Sequence, residues 1–172
     1  IELESNAFSL FFSDADQQEL LMFFNGFQLM KRKKYPMNEN SMTLVSVRVQ
    51  PLPEIREEQI VIRMQSPLIV RRHNPENNTD IYYTCESEEF EQALRENIAV
   101  FLDRMGMDAA AESFSIQTVK GKKVVVPVFG RNTDASLGIF KLTGSRRLLT
   151  ILYHAGLGAR RSEGHGKFEV IG

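Results

Sequence analysis

Residues 145–171, SRRLLTILYHAGLGARRSEGHGKFEVI, place a helix pattern, a glycine-rich loop and a strand pattern in one continuous stretch. Ser145 is a favoured helix N-cap, and apolar residues then recur at helical spacing as far as Gly156, a favoured C-cap. Residues 167–171 have the alternating pattern of a strand. The stretch therefore predicts a helix and a closing strand, joined by a loop that carries four glycines and two adjacent arginines.

The loop between this helix and strand has the composition of an anion-binding site. Glycines let the backbone approach a ligand closely, exposed N–H groups can surround an anion, and arginines add bidentate contacts. The pattern favours a phosphodiester backbone as the anion, and the alternative is a helix cap followed by an ordinary flexible turn. The candidate nucleic-acid-binding residues are Gly156, Gly158, Arg160, Arg161, Ser162, Gly164, His165, Gly166 and Lys167, with Arg146 and Arg147 at the start of the helix.

Composition and charge narrow the class of protein. The chain has 172 residues, of which 42% are hydrophobic and 25% charged, and its formal net charge of −1 argues against a generally basic nucleic-acid coat. The charge is uneven, with ten acidic and two basic residues at positions 76–112 but one acidic and six basic at 141–167. No apolar run is long enough for a membrane span and no signal peptide is recognisable, so a cytoplasmic protein is expected.

Cysteine and histidine usage gives no sign of a disulfide or a metal centre. Cys85 is the only cysteine, and no histidines or carboxylates have metal-ligand spacing, so neither a metal nor a cofactor is expected. Of the three histidines, His165 lies in the glycine loop, where contact with nucleic acid, proton transfer and neither role are all open. His154 near a helix C-terminus favours a structural role, and His73 in a polar loop is expected to be solvated.

The residues from 54 to 172 predict a complete α+β unit. Strand patterns occupy residues 59–65, 68–70, 81–85, 114–119, 123–129 and 137–142. A polar loop is expected at 73–80, and Ser87 is a favoured N-cap for a helix that ends at Gly106. Together with the final helix and strand, this order is the βαββαβ of a ferredoxin-like fold.

The residues from 1 to 53 predict only half of such a unit. A strand pattern at 7–12, a helix from Asp14 and a strand at 42–49 give βαβ, and Pro51 and Pro53 then interrupt the pattern. We therefore expect tandem ferredoxin-like units, 1–53 and 54–172, with part of the first unit upstream of Ile1. The basic cluster at 31–34 favours a solvated helix end over a binding site.

Three features together resemble a known family. They are the glycine loop, the ending Lys167-Phe-Glu-Val170, and the strand Gln65-Ser-Pro-Leu-Ile-Val70 after a proline-rich linker. They resemble the CRISPR-associated endoribonucleases of the RAMP superfamily, which cut precursor CRISPR RNA within its repeats and are built from two ferredoxin-like units. His165 departs from that pattern, because the family often has an aromatic residue at this position of the loop.

The resemblance implies a metal-independent cleavage of RNA. The 2′-hydroxyl attacks the adjacent phosphate and leaves a 2′,3′-cyclic phosphate and a 5′-hydroxyl, which needs a base, an acid and a cation. The family commonly takes a catalytic histidine from the first helix of the N-terminal unit, which this sequence lacks, so the catalytic residues stay unknown. The implied partner is CRISPR repeat RNA, and effector-complex subunits or a second copy of the chain are further partners that the resemblance allows.

Three functions stay open from the sequence. The first is a nuclease that processes precursor CRISPR RNA, with its catalytic segment upstream of Ile1, and the Ser66-Pro67 strand favours this one. The second is a non-catalytic RAMP subunit that holds guide RNA in an effector complex. The third is a ferredoxin-like interaction module with no RNA role, for which the cluster at 31–34 and the acidic helix from Glu88 would contact proteins.

Overall fold

The computed structural model describes residues 6–51, 53–108 and 113–172. These residues form two compact units, Ile1–Leu52 and Pro53–Gly172. Both combine a helix or helices with antiparallel strands, so the chain is of the expected α+β class. None of the helices in the described ranges is long and apolar enough to cross a membrane.

The first unit consists of one helix and one hairpin. Helix α1 (Gln17–Met30) begins after Asp16, whose carboxylate accepts hydrogen bonds from the N–H groups of Gln18 and Glu19 at 2.8 and 3.2 Å. Strands β1 (Lys34–Met37) and β2 (Asn40–Thr43) pair antiparallel. None of the residues of α1 is buried.

The predictions for this unit were wrong in three places. Residues 7–12 form no strand, because no strand among the described residues pairs with them. The helix begins three residues after Asp14, since Asp16 and not Asp14 supplies the cap. The strand predicted at 42–49 ends at Thr43, and its partner β1 includes the last residue of the basic cluster. The observed order is therefore helix, strand, strand.

The second unit is built on a four-stranded antiparallel sheet. Its strands are β3 (Gln59–Met64), β6 (Phe114–Val128), β7 (Arg131–Gly144) and β8 (Phe168–Val170), in the spatial order β6-β7-β3-β8. Helix α2 (Phe90–Arg104) joins β3 to β6 by way of an inserted hairpin, β4 (Val70–Asn74) and β5 (Thr79–Tyr83), and helix α3 (Arg146–Ala155) joins β7 to β8. This is the ferredoxin-like βαββαβ arrangement, so the predicted fold is confirmed.

The core of the second unit lies between the sheet and its two helices. Ile62 of β3 and Phe140 and Leu142 of β7 are fully buried, as is the apolar face of each helix. On α3 that face is formed by Leu148, Leu149 and Leu152, whose spacing is the helical one seen in the sequence. Burial of these residues fixes α3, and with it the loop that follows α3, against the sheet.

Several boundaries in the second unit differ from the prediction. The strands predicted at 114–119 and 123–129 form one strand, β6, with a bulge between Thr118 and Lys120. The apolar alternation is interrupted because residues 120–123 lie in an exposed part of the β6–β7 hairpin. Strand β7 begins at Arg131, six residues before its predicted start, because residues 131–136 are polar or small and show no apolar alternation although they pair with β6.

Two polar features were also misassigned. Half of the region predicted as a polar loop at 73–80 is paired, because His73 and Asn74 of β4 lie opposite Asp80 and Thr79 of β5, and residues 75–78 form the turn between them. Ser87 does not cap α2, since its Oγ accepts a hydrogen bond from the Thr84 N–H at 3.1 Å in the preceding turn. By contrast, Ser145 caps α3 as predicted, with its Oγ accepting from the Leu148 N–H at 3.1 Å.

Candidate nucleic-acid interface

The glycine-rich loop, residues 156–167, is held against the segment that joins β3 to β4. The Gly166 N–H donates to the Pro67 carbonyl at 2.9 Å, and the Ala159 N–H donates to the Ile69 carbonyl at 2.8 Å. The Lys167 N–H donates to Ser66 Oγ at 2.9 Å. These N–H groups are therefore used within the protein, which differs from the open, donor-rich loop that the sequence suggested.

Two glycines of the loop are needed for this close packing. Gly158 and Gly166 have φ of +74° and +79°, and a Cβ at either position would overlap a backbone oxygen, that of Ile69 and of Leu157 respectively. Gly156 is likewise buried, with Gly166 as its nearest neighbour. The backbone that these glycines approach so closely is the chain's own, and they shape the loop from within.

The outward part of the loop is a single 3-10 turn at Arg161–Glu163, followed by Gly164. Ser162 and Gly164 are exposed, and a Cβ at Gly164 would meet nothing within 4 Å. This turn is the part of the loop that a ligand can reach. Of the predicted residues, the structure brings together Arg160, Arg161, Ser162, Gly164 and His165 along this turn.

Arg160 is already engaged by the protein. Its Nη1 lies 3.4 Å from Glu163 Oε1 and its Nη2 lies 3.9 Å from Asp80 Oδ2. Its guanidinium carbon lies 5.0 Å from the centroid of the Phe129 ring. One nitrogen, Nε, is buried and has no hydrogen-bond partner among the described residues. Arg160 is thus partly neutralised by carboxylates and retains one unused donor.

Arg161 has a different environment, because no carboxylate of the described residues pairs with it. Its guanidinium carbon lies 3.8 Å from the centroid of the Phe101 ring, and it forms no ion pair within residues 6–51, 53–108 and 113–172. Burial and the nearby Arg104 lower the pKa of Arg161, yet a guanidinium stays charged at neutral pH. A half-buried cation attracts anions strongly when it has no counter-ion, and none of the described carboxylates serves Arg161, so this residue is the strongest phosphate-binding candidate in the loop.

Lys167 and His165 lie at the end of the glycine loop, and Lys167 contacts α3. Lys167 Nζ donates to the Tyr153 carbonyl at 3.2 Å and lies 4.6 Å from the centroid of the Tyr153 ring. Burial lowers the pKa of Lys167. His165 is half-buried, and its Nδ1 has no hydrogen-bond partner in the described part of the chain. Burial lowers the pKa of His165 and outweighs the opposing effect of Glu163.

The lowered pKa of His165 predicts a pH effect on stability. Its imidazole is neutral at pH 7 and should titrate below 6.5, whereas in the unfolded chain it titrates near about 6.5. Between these values the unfolded chain binds more protons, so the stability present above pH 6.5 falls as the pH falls. We expect NMR titration to give a midpoint below 6.5 and His165→Gln to reduce the pH dependence of unfolding. A midpoint at or above 6.5 would contradict the described burial.

Arg146 and Arg147 do not lie beside the glycine loop. They are exposed at the start of α3, next to the end of the sheet where Gln59 pairs with Thr143. The loop lies at the opposite end of the strands, where Met64 pairs with Phe168. The ten residues of α3 separate the two positions by about 15 Å. The predicted residues therefore form two separate groups at opposite ends of α3: Arg146 and Arg147 at its start, and the glycine loop after its end.

The inserted hairpin adds residues that the sequence did not single out. Asp80 accepts hydrogen bonds from Arg71 Nη1 at 2.7 Å and from the Tyr82 hydroxyl at 3.3 Å, and it lies 2.9 Å from His73 Nδ1. His73, expected to be merely solvated, is thus paired. The β6–β7 turn brings Phe129 to the same place, against Arg160. No group of three or more possible metal ligands occurs within the residues that the structure describes.

Comparison with known proteins identifies relatives of this chain. Residues 50–170 match the family model described as CRISPR associated protein Cas6, C-terminal. The product of a Cas6-related gene from Pyrococcus furiosus has a similar structure, with a TM-score of 0.78 and 19% identity over 92% of this chain and 65% of that one. A CRISPR associated protein Cas6 gives a TM-score of 0.77 and 15% identity over 93% and 66% of the two chains.

A third similar structure is described as a RAMP protein that binds different RNA substrates. Its TM-score is 0.72 at 20% identity, over 93% of this chain and 67% of that one. The chain thus spans about two thirds of the length of these structures. No curated protein matches it in sequence. At these identities the structural similarity shows a shared fold.

Proposed function

The chain belongs to the family of the CRISPR-associated protein Cas6 through its C-terminal family match, and on that basis we propose that it binds CRISPR repeat RNA for the processing of precursor crRNA. The observation that carries the proposal is Arg161, a half-buried guanidinium on the outward turn of the glycine loop that has no carboxylate partner among the residues that the structure describes. A phosphodiester would supply the missing negative charge. The RAMP protein of similar fold that binds RNA substrates supports the same ligand class.

The reaction that we propose is cleavage without a metal ion. The 2′-oxygen forms a bond to the adjacent phosphorus, a base takes its proton, the bond from phosphorus to the 5′-oxygen breaks, and an acid protonates that oxygen. Arg161 would stabilise the added charge on the phosphorane, because a guanidinium can contact two of its oxygens. We assign the base and the acid to no residue of this chain.

Arg146 and Arg147 provide a second point of contact in this proposal. The N-terminus of α3 presents unsatisfied N–H groups and a partial positive charge beside these two exposed side chains. An RNA strand that follows the length of α3 would contact this position and the glycine loop together. A dinucleotide, which has one internal phosphodiester, can reach one of them only.

This arrangement predicts a length-dependent effect of the Arg146→Ala/Arg147→Ala variant. For a full repeat RNA, we expect the slope of log affinity against log salt to fall by about 0.7 for each phosphate that the variant no longer binds. For a dinucleotide that occupies the glycine loop, we expect no change. Fluorescence anisotropy between about 50 and 200 mM salt measures both slopes. An equal reduction for the two RNAs would place the arginines beside the loop, against the structure.

The proposed function is tested by separating binding from cleavage. The chain is mixed with labelled repeat RNA in EDTA, and the affinity and the product ends are measured. We expect binding, and a 2′,3′-cyclic phosphate on any cleaved product. A repeat RNA with a 2′-deoxy sugar at the cleaved position is the matched control, because it should bind equally and resist cleavage. Binding without cleavage by the longest form of the protein would support the non-catalytic RAMP subunit, and no binding would exclude both.

A further inference from the structure

Strained backbone is concentrated around one cavity of the second unit. Among the described residues, five that are not glycine have positive φ, and three of these line a cavity of about 360 Å³, namely Asn78, Phe129 and Arg160, with φ of 52°, 47° and 58°. The left-handed conformation is unfavourable for residues other than glycine, asparagine and aspartate, so the strain falls on Phe129 and Arg160. Such residues persist where the surrounding structure requires them, and they cluster at ligand sites.

Phe129 is the least expected of the three. Val128 of β6 pairs with Arg131 of β7, so Phe129 and Gly130 form a two-residue turn in which both φ angles are positive. Asn-Gly is the favoured sequence for this turn, and a bulky aromatic residue at its first position is a conformational outlier. Burial gives no compensation, because 76% of Phe129 is exposed. Apart from its contact with the Arg160 guanidinium, nothing in the described fold accounts for an aromatic ring here.

The surroundings of Phe129 suit a flat, polar-edged ligand. One face of its ring is covered by the Arg160 guanidinium, whose carbon lies 5.0 Å from the ring centroid. Asn78 and Asn132 add side-chain amides to the cavity lining, and Thr133 adds a hydroxyl from a residue that is only 3% exposed. Amides and hydroxyls supply both donors and acceptors, and Arg160 Nε supplies a buried donor that has no partner among the described residues. The volume is within the usual range of about 300–1,000 Å³ for ligand sites.

We propose that this cavity holds one unpaired nucleobase of the bound RNA, stacked on Phe129 and hydrogen-bonded at its edge by the asparagine amides. The proposal rests on the proposed function and adds a base-binding site to it. Its position supports a nucleotide, because Arg160 beside the cavity is followed directly in the chain by the phosphate-binding candidate Arg161, with about 3.8 Å between their Cα atoms. A base and the phosphate next to it could therefore be held together. Stacking on an aromatic ring suits any of the four bases.

The test is Phe129→Asn, which restores the favoured turn sequence and removes the ring. We expect a melting temperature equal to or above that of the wild type, because the turn is relieved of its strain and the exposed ring buries little surface. We expect affinity for a fluorescein-labelled single-stranded 12-nucleotide RNA to fall about 5- to 150-fold, the range expected when one base stack is removed. The salt slope should stay unchanged, because no phosphate contact is removed. Phe129→Tyr is the matched control and should bind as the wild type does.

An RNA with abasic positions tests whether the affinity depends on the bases. Wild type should bind a fully abasic 12-mer more weakly than the base-bearing RNA, and Phe129→Asn should lose most of this discrimination. Unchanged RNA affinity of Phe129→Asn, while Arg161→Ala weakens binding, would overturn the base site alone. Failure of the wild type to bind any RNA would overturn the proposed function and this site together. A lower melting temperature for Phe129→Asn would show that the ring is there for the fold, and would also contradict the proposal.

Discussion

Gly166→Ala should destabilise the second unit by about 3–4 kcal/mol, which is large for a single substitution. The new Cβ would overlap the Leu157 carbonyl, and neither partner can move easily, because both belong to the backbone and the Leu157 N–H donates to the Gly166 carbonyl at 2.9 Å. The positive φ of 79° adds strain for any residue with a Cβ. Thermal or urea unfolding measures the destabilisation, and a melting temperature lower by about 10 °C is expected for a chain of this size.

Gly164→Ala is the matched control for this prediction. Gly164 has φ of 86°, close to that of Gly166, but nothing lies within 4 Å of its Cβ position. Both substitutions therefore carry the conformational strain, and only Gly166→Ala carries the overlap. We expect a cost of about 1 kcal/mol for Gly164→Ala. Equal costs for the two variants would mean that the loop does not pack against itself as described.

Arg161→Ala should weaken RNA binding about 10- to 150-fold, which corresponds to one hydrogen-bonded contact with a charged group. The slope of log affinity against log salt should also become shallower by about 0.7. Stability should change little in comparison, because the substitution removes a half-buried cation that has no carboxylate partner among the described residues and lies near Arg104. Anisotropy titrations and unfolding curves on the same samples separate the two effects.

Arg161→Lys distinguishes charge from geometry at this position. Lysine keeps the positive charge but lacks the planar fork that contacts two phosphate oxygens and stacks on Phe101. We expect an intermediate affinity and a salt slope like that of the wild type. If Arg161→Ala bound RNA with the affinity and salt slope of the wild type, Arg161 would have no part in phosphate binding.

The fold of the second unit could be predicted because its elements have regular sequence patterns. The apolar spacing in α3, with Ser145 and Gly156 at its ends, and the alternation in β3 follow directly from burial against one core. The exposed parts of the β6–β7 hairpin were missed because residues such as those at 120–123 pair with another strand without facing the core. Backbone hydrogen bonds between β6 and β7 extend these strands, and such bonds leave no apolar pattern in the sequence.

The candidate site was predictable in composition but not in arrangement. A glycine-rich stretch indicates that some backbone approaches another group closely, yet the sequence does not show that Gly158 meets Ile69 of the same chain. Two arginines that are adjacent in sequence also have different contacts, since Arg160 faces Asp80 and Glu163 while Arg161 faces Phe101. The contacts with Asp80 and Phe101 depend on segments far away along the chain. Whether the predicted residues bind RNA stays a prediction.

The central claim is that the glycine loop binds RNA. Photochemical cross-linking of RNA to the chain tests this claim most directly, because it locates the contact surface. A single-stranded repeat RNA that carries 4-thiouridine is irradiated with the full chain, and the cross-linked peptides are identified by mass spectrometry. We expect cross-links to residues of the glycine loop between Arg160 and Lys167, and to Phe129 at the β6–β7 turn. Cross-links confined to the basic cluster at 31–34 or to the acidic residues of α2, with none on the loop, would contradict the claim that the loop binds RNA.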